Sequence, residues 1–356
     1  MGASFQKEEL QARLANMKGF TSPLWPIRYR PLPDELLSCW LVRLAHGHGL
    51  KAQTFCSQIF GSERQVWNRD IDRLAQPWLI EELAHRTGLE LNVVHNTTLR
   101  SYEGLLYPKF RTSGALNWIL VQQMYHRKRQ GFGLQYCAQC LAEDVIPYFR
   151  KSWRLALNTV CIHHGIMLHD RCSVCGNAVS FHRLDMIKQN SIDEIPLSIC
   201  SACGFDLRRA PKILPISYNG EAANLLLSLN HEIQSGSNPN PERDLGYFSV
   251  MHHLCRMMVG KYKHLYLRAF VLDQLGSQDI QLKEGHISFE MRPLLERHHL
   301  LQLTAWLLVD IEARLPLAWH ARVIRYNLLL KDFPNVPGWY LQIVGKFSNW
   351  RDRIGN

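Results

Sequence analysis

Apolar positions recur at intervals of three and four along several stretches of this chain, with proline or glycine marking the breaks. Pro23, Pro26, Pro31 and Pro33 read as a rigid strap. Beyond them, Asp34 is placed to cap a helix with Leu36, Leu37, Trp40, Leu41, Leu44 and Ala45 on one buried face. Gly47 and Gly49 end it. A second short helix is expected over about residues 51–60, closed by Gly61. A third is expected over about 76–87, with Pro77 in its first turn and Gly88 just past its end. The run from Glu90 to Leu99 starts another. These segments predict a helical, helix-turn-helix-like domain over residues 24–125, preceded by an extension at 1–23.

The pattern changes over residues 126–213, where cysteine pairs, short strands and little continuous periodicity predict tandem zinc-finger or ribbon modules. Helical periodicity returns in a C-terminal domain over 214–356. Helices are expected there at 221–232, 247–258 and about 293–312, with a polar loop at 234–243. The fold class is therefore mainly α. No run of 18 apolar residues occurs and the start is polar, so neither a membrane span nor an exported protein is expected. The cytoplasm is the expected compartment.

The cysteines sharpen this picture. Seven of the ten lie between Cys137 and Cys203, and six of those seven form C-x-x-C pairs. In a chain of 356 residues with no export signal, that spacing points to metal ligands rather than disulfides. One module joins Cys137 and Cys140 to Cys161 and His164. The other joins Cys172 and Cys175 to Cys200 and Cys203. Each pair puts two donors on one tight turn, and Zn²⁺ suits four sulfur or nitrogen donors held as a tetrahedron. Two structural Zn²⁺ sites, Cys₃His then Cys₄, are expected, with buried thiols or an iron–sulfur cluster as alternatives. His163 and His169 are the competing ligands for His164. Gly176 and Gly204 follow their cysteine pairs, where a knuckle needs positive φ. Cys39, Cys56 and Cys255 fall in apolar helical patterns and read as core.

Lys and Arg number 41 against 31 Asp and Glu, a surplus of 10 that favours anionic partners. Seven thiolates and two Zn²⁺ together carry −3, which leaves the loaded chain basic. Over residues 100–213 there are 15 basic side chains against 8 acidic ones. Arg127, Lys128 and Arg129 precede the first knuckle, and Arg150, Lys151 and Arg154 lie in its long loop, with Tyr125, Phe132, Tyr136, Tyr148, Phe149 and Trp153 interleaved. These six cations are the candidates for phosphate contact. The competing reading is a solvated face whose aromatics pack the zinc modules.

Signatures of catalysis are missing: there is no Walker loop, G-x-S-x-G or H-E-x-x-H. The pairs His46/His48, His252/His253 and His298/His299 lack ligand partners at convincing spacing, and Glu290, Glu296 and Asp310 do not identify a nuclease. An adaptor rather than an enzyme is expected.

Several motifs together resemble the TniQ/TnsD family, the target-selection proteins of Tn7-like and Tn5053-like transposons. They are PLPDELLSCWLVRLA at 31–45 followed by HGHG, YCAQCLAED at 136–144, PYFR at 147–150, Trp153, CIHHGIML at 161–168 and CSVCG at 172–176. FEMRPLLERHHL at 289–300 is a weaker match. The resemblance implies a non-catalytic protein that links a target-site recogniser to an AAA+ transposition ATPase (TnsC-like). Shorter members dock on a Cascade-like CRISPR effector with its guide RNA, whereas TnsD-like members bind target DNA themselves. Some members are homodimers. On that basis Leu36, Leu37, Trp40, Leu41 and Leu44 are candidates for subunit packing, with an internal core as the alternative. The chain is on the shorter side of the family, which favours the RNA-guided adaptor. A TnsD-like DNA-binding selector, a zinc-containing transcription regulator and a scaffold without nucleic-acid contact are the other readings.

Overall fold

A computed structural model describes residues 22–122, 131–186, 196–236, 240–259, 266–285 and 287–347. Residues 1–21 of the N-terminal extension and the Arg127–Arg129 cluster lie outside these residues. The architecture is mainly α. Among the described residues there are only isolated β-bridges, such as Tyr136 with His169 and Val160 with Met167, in place of the short strands expected around the cysteines.

The chain forms two compact units, each assembled from three sequence segments. One comprises residues 1–101, 138–154 and 171–211; the other comprises 102–137, 155–170 and 212–356. The sequence pattern suggests consecutive blocks, whereas these units alternate along the chain.

The first unit holds α1 (Leu37–Gly47), α2 (Ala52–Phe60), α3 (Ile71–Leu74), α4 (Pro77–Thr87), α5 (Leu91–His95) and α6 (Ala138–Glu143). Helix α1 is its core, with every residue from Leu37 to Ala45 buried. A helix start leaves backbone N–H groups without intrahelical partners, and in a buried helix each must find an acceptor elsewhere. Leu36 N donates to Phe149 O, Leu37 N to Thr97 O, and Ser38 N to Asp72 Oδ1 at 2.7 Å. Asp34 is not the cap: it adopts φ 56°, and its carboxylate accepts from Ser152 N. Helix α4 follows its sequence signals closely, with Pro77 in its first turn and Gly88 at φ 70° closing it.

The second unit holds α7 (Gly220–Ser235), α8 (Leu245–Val259), α9 (Tyr266–Leu275), α10 (Leu294–Val309), α11 (Ile311–His320), α12 (Tyr326–Leu330) and α13 (Gly338–Val344). Helix α10 is buried on nearly all sides and packs against α7, α8, α9 and α11. It stops at Val309, short of the expected end. Asp310 leaves helical geometry and caps α11 by accepting from Ala313 N. Five of the six histidines in the singled-out pairs make structural contacts. His252 Nε2 meets Glu290 Oε1 at 2.6 Å, His253 Nε2 meets Leu328 O, His298 Nδ1 meets Thr159 Oγ1, and His299 lies between Tyr218 and Asp279. His48 Nδ1 donates to Leu44 O while its Nε2 accepts from Ile27 N. No helix among the described residues is long and apolar enough to cross a membrane.

Candidate metal centres

Three of the four knuckles share one backbone pattern. Cys161 N donates to Ile166 O, Cys172 N to Asn177 O, and Cys200 N to Phe205 O. In each, the residue four positions after the first cysteine is a glycine that donates back to that cysteine's carbonyl: Gly165 to Cys161, Gly176 to Cys172, Gly204 to Cys200. Their φ values are 63°, 69° and 77°, the left-handed region that glycine enters at no steric cost. The tight turn thus aims two donors to the same side. The fourth pair is built differently, since Cys137 immediately precedes α6 and Cys140 sits in its first turn.

The donors converge into two groups, Cys137, Cys140, Cys161 and His164, then Cys172, Cys175, Cys200 and Cys203. Within each group all donor atoms lie within 4.8 Å of one another. Zn–S bonds of about 2.3 Å and Zn–N bonds of about 2.0–2.1 Å set the edges of a tetrahedron at about 3.8 Å for S···S and about 3.5 Å for S···N. Cys172 Sγ and Cys203 Sγ are 3.8 Å apart, and Cys175 Sγ and Cys200 Sγ are 3.7 Å apart. His164 Nδ1 is 3.5 Å from both Cys137 Sγ and Cys161 Sγ. The edges match zinc, and they exceed the disulfide length of about 2.05 Å by far. His164 is the histidine that joins the cluster. His169 instead stacks on Tyr136 at 5.1 Å.

The two clusters differ in exposure. Cys137, Cys140 and Cys161 are buried, whereas Cys175 is half-buried and Cys203 is exposed. Asn177 Nδ2 donates to Cys175 Sγ at 3.3 Å. Against the upward push of burial, hydrogen bonds from Asn177 and neighbouring cysteines pull the Cys175 thiol down to about 6. Burial pushes the Cys200 thiol of the same cluster up to about 12, and Cys203 is raised as well. Burial pushes Cys56 and Cys255 up to about 12, so these two remain core thiols, and Cys39 is raised as well.

Of the interleaved aromatics, Tyr148, Phe149 and Trp153 pack within the first unit. Phe149 stacks on Phe181 at 4.7 Å and meets Trp153 edge-on. Arg150 is held between the rings of Tyr148 and Trp153, at 4.3 Å and 4.7 Å, and pairs with Asp144 at 2.7 Å. Lys151 Nζ donates to Asn96 O and Ser101 Oγ, and burial lowers its pKa. Arg154 corrects the sequence reading outright. It is fully buried, its Nη2 lies 2.5 Å from Asp70 Oδ2, and its Nη1 lies 3.2 Å from Asp72 Oδ2. A guanidinium so placed cannot reach a phosphate. The five candidates for subunit packing also change role: Leu36, Leu37, Trp40, Leu41 and Leu44 have no exposed surface, so they form the internal core.

Residues 26–168 match the TniQ protein family. The matched TniQ segment begins in the strap before α1 and runs through all four ligands of the first cluster. No curated protein matches the chain.

Proposed function

We propose that this protein is a transposition target-selection adaptor that links an RNA-guided, Cascade-like effector to an AAA+ ATPase regulator. The observation that carries this reading is the TniQ segment over residues 26–168. The two metal clusters support it, because four protein donors fill each tetrahedron and leave no position for water or substrate. Metal then stabilises the fold rather than performing chemistry. Sequence-specific DNA recognition without a guide RNA is the alternative.

The test is co-purification of the zinc-loaded chain from its host, with and without nuclease, followed by identification of the proteins and nucleic acid recovered. Effector subunits together with a guide RNA and the ATPase support the proposal. Recovery of the ATPase with one discrete duplex and no guide RNA replaces it with direct DNA targeting. Recovery of neither nucleic acid nor ATPase overturns both.

A further inference from the structure

Solvent reaches the two metal clusters unequally. In the first, all three thiols are buried and the half-buried donor is the imidazole of His164. In the second, Cys203 is exposed and Cys175 half-buried, while Cys172 and Cys200 are buried. The second cluster also lies wholly beyond the TniQ segment, which ends at residue 168. A thiolate that small solutes can touch remains a nucleophile when it ligates a metal. Zinc does not change oxidation state, so an oxidant takes its electrons from sulfur.

Geometry selects the sulfurs. Asn177 Nδ2 donates to Cys175 Sγ at 3.3 Å, and a hydrogen bond to a ligating sulfur draws electron density from it. Cys203 is thus the more open and the more nucleophilic of the two accessible thiolates. Its Sγ lies 3.8 Å from that of Cys172 on the facing knuckle, about 1.8 Å more than the length of a disulfide. A small shift of the two turns closes that gap. The core thiols Cys39, Cys56 and Cys255 are buried and do not compete.

We propose that the Cys172/Cys175/Cys200/Cys203 cluster is an oxidation site for hydrogen peroxide, at which Cys203 and Cys172 join as a disulfide and one zinc ion is released while the buried cluster keeps its own. The Cys203 thiolate attacks one peroxide oxygen, the O–O bond breaks, and hydroxide leaves to be protonated by solvent. The Cys172 thiolate then attacks Cys203 Sγ, forming the S–S bond as the S–O bond breaks and a second hydroxide leaves. Two thiolates, one peroxide and two protons thus give one disulfide and two waters. Cys175 and Cys200 remain as donors, too few to complete a tetrahedron. The knuckles then shift, and the chain between them, which sets Phe181 against the Phe149 ring, loosens. A thiol reductant and added zinc reverse the change. The inference stands apart from the adaptor reading, since it depends on no partner.

The test treats the zinc-loaded full chain with hydrogen peroxide and follows released zinc with a chromogenic chelator. One of two zinc ions is expected to leave first, with free thiols falling by two from the ten present. Non-reducing peptide maps are expected to show a Cys172–Cys203 crosslink, and a phosphine reductant with added zinc to restore both ions. Cys203→His keeps four donors for zinc but cannot form this disulfide, so it is expected to release zinc several-fold more slowly. Asn177→Ala leaves every donor in place and unshields Cys175. It is expected to speed release and to add a Cys175–Cys200 crosslink, whose sulfurs lie 3.7 Å apart. Loss of both zinc ions at one rate, earlier crosslinks among Cys137, Cys140 and Cys161, or oxidation that the reductant does not reverse would overturn the inference. So would a zinc-loaded Cys203→His that releases as fast as wild type, or a purified chain that holds fewer than two zinc ions.

Discussion

Replacing Arg154 by methionine removes a cation paired with two carboxylates, one of them fully buried. Arg154 contacts Asp70 through Nη1 and Nη2 and Asp72 through Nη1, and Asp72 also accepts from Ser38 N and Ser38 Oγ at the start of α1. Methionine fills much of the same volume but leaves both carboxylates unmatched. Removing one partner of a buried pair costs about 3–5 kcal/mol. The low end of that range is expected, since Asp70 is partly exposed and Asp72 can take up a proton. A loss of about 3 kcal/mol corresponds to a fall in Tm of about 6–12 °C for a unit of this size.

The pH dependence has a definite sign. Burial pushes the Asp72 carboxyl up to about 7, against the pull of Arg154. Without the arginine it moves higher still. A carboxyl whose pKa is higher folded than unfolded binds its proton preferentially in the folded state, so its stability penalty grows as pH rises from about 4 through the folded value. R154M should therefore lose more relative to wild type at pH 8 than at pH 5. Thermal and urea unfolding of the zinc-loaded proteins, followed by circular dichroism at both pH values, measure this. A loss below about 1 kcal/mol, or a loss equal at the two pH values, would refute the reasoning. R154M that is as stable as wild type but binds nucleic acid poorly would return Arg154 to the surface role its sequence position suggests.

Metal analysis of the purified chain is expected to give two zinc ions. C203S and C161S should each retain one, with C203S the milder because Cys203 is exposed and Cys161 is buried in the TniQ segment. Gly176→Ala forces a side chain to φ 69° in otherwise open space, so about 1–2 kcal/mol of backbone strain is expected, read as weaker zinc retention against a chelator. Glu290→Ala leaves Trp118 N and His252 Nε2 without their buried acceptor and should cost about 2–4 kcal/mol in urea unfolding without changing zinc content.

The metal donors were legible because their chemistry is local: two residues three apart specify geometry within six residues, on a glycine-closed turn in three of the four pairs and at a helix start in the Cys137/Cys140 pair. Helix α4 was legible for the same reason, through Pro77 and Gly88. Asp34 misled because a capping signal two residues early looks the same in sequence, while the true acceptors, Phe149 O, Thr97 O and Asp72, come from distant segments. Arg154 misled because basic residues near aromatics suggest a surface until Asp70 and Asp72 are brought to them. Helix α10 hides its burial in a similar way. Arg297 and Gln302 look like a solvent face, yet Arg297 donates to Ala156 O and Gln135 Oε1, and Gln302 to Ile216 O. Long-range pairing of this kind has no local signature. It also decided the unit boundaries, which no shift in composition marks.

The alternation of the two units along the chain constrains how such a protein can be altered by recombination. Each unit needs three separate stretches of polypeptide, and the stretches of one are separated by those of the other. A single crossover with a relative leaves at least one unit with parts of mixed ancestry unless it falls close to a terminus. Shuffled variants that keep working should therefore be those whose exchanged stretches carry mutually compatible buried pairs, such as Asp72 with Arg154, whatever the identity of the surface around them. A deletion series from the C-terminus would strip α10 and its partners from the second unit while leaving all segments of the first in place.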